Sequence, residues 1–212
     1  MPTATPSTLP ALPPVAEQAE RWIALGLRAE TLQAVTDRAD DTGALLVVHP
    51  DLMPASVLAP MLSIRGKAGF VVADMTDVDD FAPIPSVSVP EAAAYLVSGL
   101  DRGDDMANWS PDEALPAILA AGRTPLTLSE GLQWVLQQPD ALQRGHCFMT
   151  IASRLSKPDG SLDARTPALW ISNGTGRDGA ANRNAPKVGW CWAGNRHTWL
   201  GFASAGLRAL PG

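Results

Sequence analysis

The sequence predicts an α+β fold: a helical N-terminal and central part around two buried strands, packed on a mostly antiparallel C-terminal sheet. Three features predict it. Two short continuous apolar runs, 45–49 and 69–74, suit buried strands. The middle of the chain carries two helix-capping boxes, and after Gly145 the apolar residues fall into strand-length runs.

Taken in order, residues 1–14 are rich in Pro, Thr, Ser and Ala and read as a flexible arm. A single domain is expected over 15–212, with an alternative boundary near 145. Ala19, Trp22, Ile23, Leu27, Leu32 and Val35 recur at helical spacing over 15–41, and Gly26 breaks that stretch into two short helices. The apolar run 45–49 closes at Pro50, a helix is expected over 55–62, and the strand 69–74 runs into an acidic turn through Asp80. A further helix is expected over 91–100, with Tyr95 and Leu96 facing inward.

Ser110-Pro111-Asp112-Glu113 and Thr127-Leu128-Ser129-Glu130 are capping boxes. In each, the hydroxyl oxygen accepts from an N–H of the first turn while the Glu accepts from the cap N–H, so these polar groups already have structural work. The first helix should stop at Gly122 and the second before Pro139. Strands are expected at 147–153, 168–172, 188–193 and 198–203. Only Gly194-Asn195-Arg196-His197 separates the last two, which predicts a hairpin with Trp190 and Trp192 on one face and Gly189, Cys191 and Ala193 on the other.

The composition, 46% hydrophobic and 18% charged, is too apolar for a disordered chain, and 212 residues can bury one sizeable core. The net charge of −6 is unevenly spread: 37–113 holds 14 acidic and 4 basic residues, whereas 140–212 holds 4 and 9. The two regions are therefore expected to pack together and partly neutralise each other. The acidic balance argues against a nucleic-acid partner, which requires a clustered basic footprint. Two cysteines without CxxC spacing give no disulfide framework. The lack of a signal-peptide start or a span-length apolar run predicts a cytoplasmic protein with no membrane partner. The sequence names no cofactor and sets no oligomeric state.

Several patterns are candidates for chemistry. Gly174-Thr175-Gly176-Arg177-Asp178-Gly179 matches the dinucleotide fingerprint, but AANRNAPK follows it without helical periodicity, which excludes that reading. As a flap between strands it could hold an anion through backbone N–H groups, helped by Arg177, Arg183 and Lys187. Asp74, Asp77, Asp79 and Asp80 follow a strand end. Carboxylates this crowded call for a cation or for Arg partners, which makes Asp77 and Asp79 candidate metal ligands. None of the three histidines has HxH or HExxH spacing. His197 is the candidate acid/base, and a Cys191/His197 pair is conceivable only across the hairpin. Arg102-Gly103-Asp104 reads as a turn rather than an adhesion signal.

Trp190 and Trp192 beside Asn195 and Arg196, with Arg177 nearby, fit a ligand site of apolar walls and a few convergent polar groups. Two functions follow as expectations. The first is a non-catalytic module that binds a small molecule or a protein through the Trp-rich hairpin. The alternative is an enzyme acting on an anionic small substrate, with or without a metal.

The blocks HPDLMPAS, GKAGFVVADMTDVDDFAP, RGDDMANWSPDEAL, GRTPLTLSEG, TPALWISNGTG and PKVGWCWAGNRHTWLGFASA together resemble an actinobacterial family of small proteins catalogued as a domain of unknown function. The likeness runs over about 46–203. It implies a cytoplasmic bacterial setting and carries no activity or site residues.

Overall fold

Helix α1 (Val15–Ala24) buries Val15, Ala19 and Trp22 along one stripe, and α2 (Ala29–Thr36) buries Leu32 and Val35 after a break at Gly26, whose φ of +98° ends the first helix. The computed structural model describes residues 9–37 and 43–210, apart from the Arg177 side chain. Residues 1–8 of the expected arm and 38–41 of the expected helical stretch lie outside the described residues. From Leu9 onward the arm is fastened. Leu9 and Leu12 pack on the core, and Gln18 and Gln138 donate to the carbonyls of Pro13 and Pro10.

The remaining elements follow in chain order: β1 (Leu45–Val48), α3 (Ala55–Met61), β2 (Ser63–Ile64), β3 (Lys67–Ala68), β4 (Phe70–Val71), β5 (Ala82–Pro83) and β6 (Ala94–Ser98). Then come α4 (Pro111–Ala120), β7 (Thr124–Pro125), α5 (Leu128–Gln137), β8 (Cys147–Met149), β9 (Ser153–Arg154) and β10 (Arg165–Ile171). The chain closes with β11 (Pro186–Trp192), β12 (Leu200–Phe202), β13 (Ser204–Ala205) and β14 (Leu207–Ala209). The architecture is α+β. One antiparallel sheet runs β1-β6-β14, a larger one runs β12-β8-β10-β11-β4, and three two-stranded ladders accompany them. The larger sheet is mixed: its central pairs, β8 with β10 and β10 with β11, are antiparallel, and its outer pairs, β12 with β8 and β4 with β11, are parallel.

Both capping boxes form as expected, Ser110 with Glu113 on α4 and Thr127 with Glu130 on α5. All ten residues of α5 are buried, and it packs against both β1 and β10. Its Gln133 accepts from Val48 N–H and donates to Val48 C=O, both at 2.7 Å. Gln18 of α1 does the same for Leu46 N–H and Ala44 C=O at 2.8 Å. Two buried glutamines thus satisfy the free edge of β1 where another strand would otherwise be needed.

Three expectations are corrected. Residues 91–100 form no helix; 94–98 are the central strand β6, paired on both sides with β1 and β14. The Ala-rich composition suits a helix, but ladders on both edges satisfy the backbone, and Tyr95 and Val97 become fully buried. The strand expected over 69–74 shrinks to two half-buried residues at a sheet edge. No hairpin joins β11 to β12, because β8 and β10 lie between them. Seven residue pairs, from Arg165↔Trp192 to Ile171↔Pro186, bind one edge of β11 to β10, and β4 takes the other, so 198–203 finds its partner in β8.

Strands from either side of position 145 are hydrogen-bonded to each other in four places, β14 with β6, β4 with β11, β13 with β7 and β5 with β9. Among the described residues, no helix is long and apolar enough to cross a membrane.

Candidate functional site

The Trp-rich segment divides between the two faces of the large sheet. Trp190 and Trp192 share one face and meet edge-on, ring centroids 4.7 Å apart; Trp190 is half-buried and Trp192 is 49% exposed. The Arg165 guanidinium lies 6.0 Å from the Trp190 ring and 5.7 Å from that of Phe81. It donates to both carboxylate oxygens of Asp77, at 3.2 and 2.8 Å, and to Asp163 at 3.1 Å. Asp77 is therefore an ion-pair partner of Arg165, one of the two arrangements its crowded setting called for. Asp79 accepts from the Ser56 N–H at 2.8 Å and from its hydroxyl at 2.5 Å, in the first turn of α3. No group of three or more His, Cys, Asp or Glu able to hold a metal occurs among the described residues.

Of the other expected binding residues, one is similarly engaged. Arg196 pairs with Glu113 and donates to the Asn108 carbonyl, tying the 194–199 loop to the start of α4. Asn195 is exposed on that loop. The Arg177 side chain lies outside the described residues. Lys187 is held by Asp178 at 2.7 Å and lies 4.7 Å from the Trp170 ring, so the loop's own carboxylate occupies the cation that an anion would use. The charge asymmetry resolves as expected. Arg165, Arg196 and Arg208 of the basic C-terminal region meet Asp77, Glu113 and Glu130 upstream. Arg102 is buried and clasps Asp104 two residues on, so the Arg-Gly-Asp tripeptide is an internal turn.

On the opposite face of β11, Cys191 Sγ lies 2.9 Å from His197 Nε2. The contact is made by the 193–199 loop folding back on β11, without the hairpin thought necessary for it. Burial pushes the Cys191 thiol up, against smaller opposing effects of the Trp192 amide and the Lys187 charge, and burial pushes the His197 imidazole down. Both are neutral near pH 7. In the tautomer with the ring's proton on Nδ1, the S–H donates to Nε2.

A cleft of about 260 Å³ opens elsewhere, between the 49–54 turn, the 78–83 segment and the N-terminus of α5. Val78, Phe81, Val89 and Leu128 form apolar walls, while His49, Thr127, Ser129 and Ser153 add polar groups. The Ser153 hydroxyl oxygen accepts from Leu128 N–H at 2.9 Å and that of Ser129 accepts from Gln133 at 2.9 Å, which leaves each O–H available as a donor. Behind them Tyr95 donates to Glu130 at 3.0 Å, and Arg208 clamps both oxygens of Glu130 at 2.5 and 2.7 Å. Burial, then the Glu130 charge and hydrogen bond, pushes the Tyr95 phenol far above its ordinary range. Burial opposes the charge on Arg208, but its bonds to Glu130 outweigh that and hold the guanidinium above its usual value.

Asp79, a candidate metal ligand in the sequence, also lines this cleft; the sequence does not group it with the other residues that do. The capping box marks Thr127 and Glu130 as structural, Tyr95 reads as helical, and His49 ends a strand. Only the convergence of segments distant in the chain makes a cleft of them.

A family model described as a family of unknown function, DUF5701, matches residues 11–210 of the chain. No curated protein and no solved structure matches it.

Proposed function

Because the chain belongs to DUF5701, a family of unknown function that lends it no chemistry, we propose from the geometry that this is a small-molecule-binding module whose ligand occupies the cleft at the α5 N-terminus. The observation that carries this reading is the combination of apolar walls with unengaged hydroxyl donors at one concave site. At about 260 Å³ the cleft falls just below the roughly 300–1,000 Å³ typical of sites for drug-sized ligands. The ligand is accordingly small. Hydroxyl donors on Ser129 and Ser153, with the positive end of the α5 dipole beside them, favour an apolar body bearing a neutral carbonyl oxygen, since the Asp51 and Asp79 carboxylates in the same lining oppose an anion. The buried Tyr95–Glu130–Arg208 network keeps this wall rigid, which limits the ordering cost of binding.

Native mass spectrometry of the purified protein tests the reading. The wild-type protein should carry a stoichiometric non-covalent adduct, and Ala82→Trp, which fills the cleft from an exposed lining position, should lose it. A bare wild-type protein, or an adduct retained in Ala82→Trp, sinks the proposal. We place the module in the cytoplasm, where a reducing environment suits its two unpaired cysteines.

A further inference from the structure

We propose that Cys191 and His197 form a nucleophile–base pair that accepts an electrophilic carbon, such as the carbonyl of a neutral acyl donor, onto the Cys191 sulfur. Four observations support it. Sγ and Nε2 are 2.9 Å apart, within reach for direct proton transfer. Cys191 is only half-buried, so a reagent can reach the sulfur. The His197 ring is held from both sides of its residue: its carbonyl accepts from Asn108 N–H at 2.8 Å, and its imidazole lies 4.9 Å from the Trp199 ring. Finally, Thr166 stands directly opposite Cys191 in the β10/β11 register and hence on the same face. Its fully buried Oγ1 has no hydrogen-bond partner. A buried hydroxyl left unpaired is costly, and on the same face as the sulfur it offers a donor for negative charge developing on an attached group.

The electrostatics choose the class of substrate. The charge that reaches the sulfur comes from Lys187, which Asp178 neutralises, and the neighbouring Arg196 is neutralised by Glu113. With no unpaired cation acting on the sulfur among the described residues, the pair suits a neutral electrophile. The 49%-exposed Trp199 offers an apolar surface for its body.

The thiol reacts by losing its proton as it attacks, rather than from a standing thiolate, because burial raises the thiol and keeps the imidazole unprotonated. The sulfur lone pair forms the S–C bond while the S–H proton passes to His197 Nε2. With an acyl donor, the tetrahedral adduct collapses, the bond from the acyl carbon to the leaving group breaks, and that group departs with its electron pair and takes the proton from Nε2. With iodoacetamide, the C–I bond breaks, iodide leaves, and the proton goes on to solvent.

Iodoacetamide labelling, followed by intact-mass and peptide mass spectrometry across pH 5–10, is the test. Cys191 should label ahead of the buried Cys147. Its rate should rise with a group titrating below the ordinary imidazole value near 6.5 and then stay level past pH 8. His197→Gln should slow labelling at pH 7 by about tenfold or more and leave only a rise at the top of the pH range, above that of an ordinary thiol. The proposal is overturned if wild-type Cys191 shows only that upper rise, or if Cys147 labels first. The wild-type profile decides by itself should His197→Gln fail to fold.

Discussion

Glu130 accepts four hydrogen bonds from three parts of the chain: one from the Thr127 N–H at 2.7 Å, one from the Tyr95 phenol, and two from Arg208, one on each carboxylate oxygen. It is fully buried, and the Arg208 side chain is 5% exposed. Removing one member of such a pair leaves the other charged and desolvated. Arg208→Met should therefore cost about 3–5 kcal/mol, read as a lower midpoint in urea unfolding. A loss under about 1 kcal/mol would mean the pair is solvated. At this scale the sequence reads half of each functional residue. The Thr127–Glu130 spacing declares the cap, because a cap is a local hydrogen bond three residues long. It cannot declare that the second face of the same carboxylate receives an arginine 78 positions away. The Cys191–His197 contact, six residues apart, lies within local reach, yet its route was misread because it was tied to a hairpin that does not form.

Among the elements, α5 shows how packing overrides propensity. Gly131 sits in the middle of this helix, where Ala would ordinarily be favoured by about 1 kcal/mol. A Cβ there would lie 2.4 Å from Thr150 Cγ2 and 3.2 Å from Phe148 Cε2, both on fully buried side chains. Overpacking of this kind costs roughly 1–3 kcal/mol, so Gly131→Ala should be destabilising despite the better helix former. Thermal unfolding of the variant checks this, and an unchanged or raised Tm would show that the helix–sheet contact can relax. Elements with local punctuation are legible from sequence: α4 and α5 begin at their boxes, and α1 ends at Gly26. β6 is not, because Ala94-Tyr95-Leu96-Val97-Ser98 has no cap at either end and takes its conformation from β1 and β14.

Across the whole molecule, the chain is laced from both ends. β14 completes the sheet of β1 and β6, β4 closes the edge of β11, and one hydrophobic cluster extends from Val15 to Ala205. Unfolding should accordingly follow a single transition, with Trp fluorescence and far-UV circular dichroism coincident in urea. Two separated transitions would divide the chain near residue 145. By itself the sequence determined the α+β class, the capped helices, the turn glycines and the opposite charge of two regions that meet as ion pairs. These follow from interactions a few residues long or from the sum of charges. Only the tertiary structure decided which strands are neighbours, that Asp77 serves Arg165, and that His49, Ser129 and Ser153 share a cleft. Strand edges and buried charges must find partners, and the partner available is fixed by how distant segments pack together.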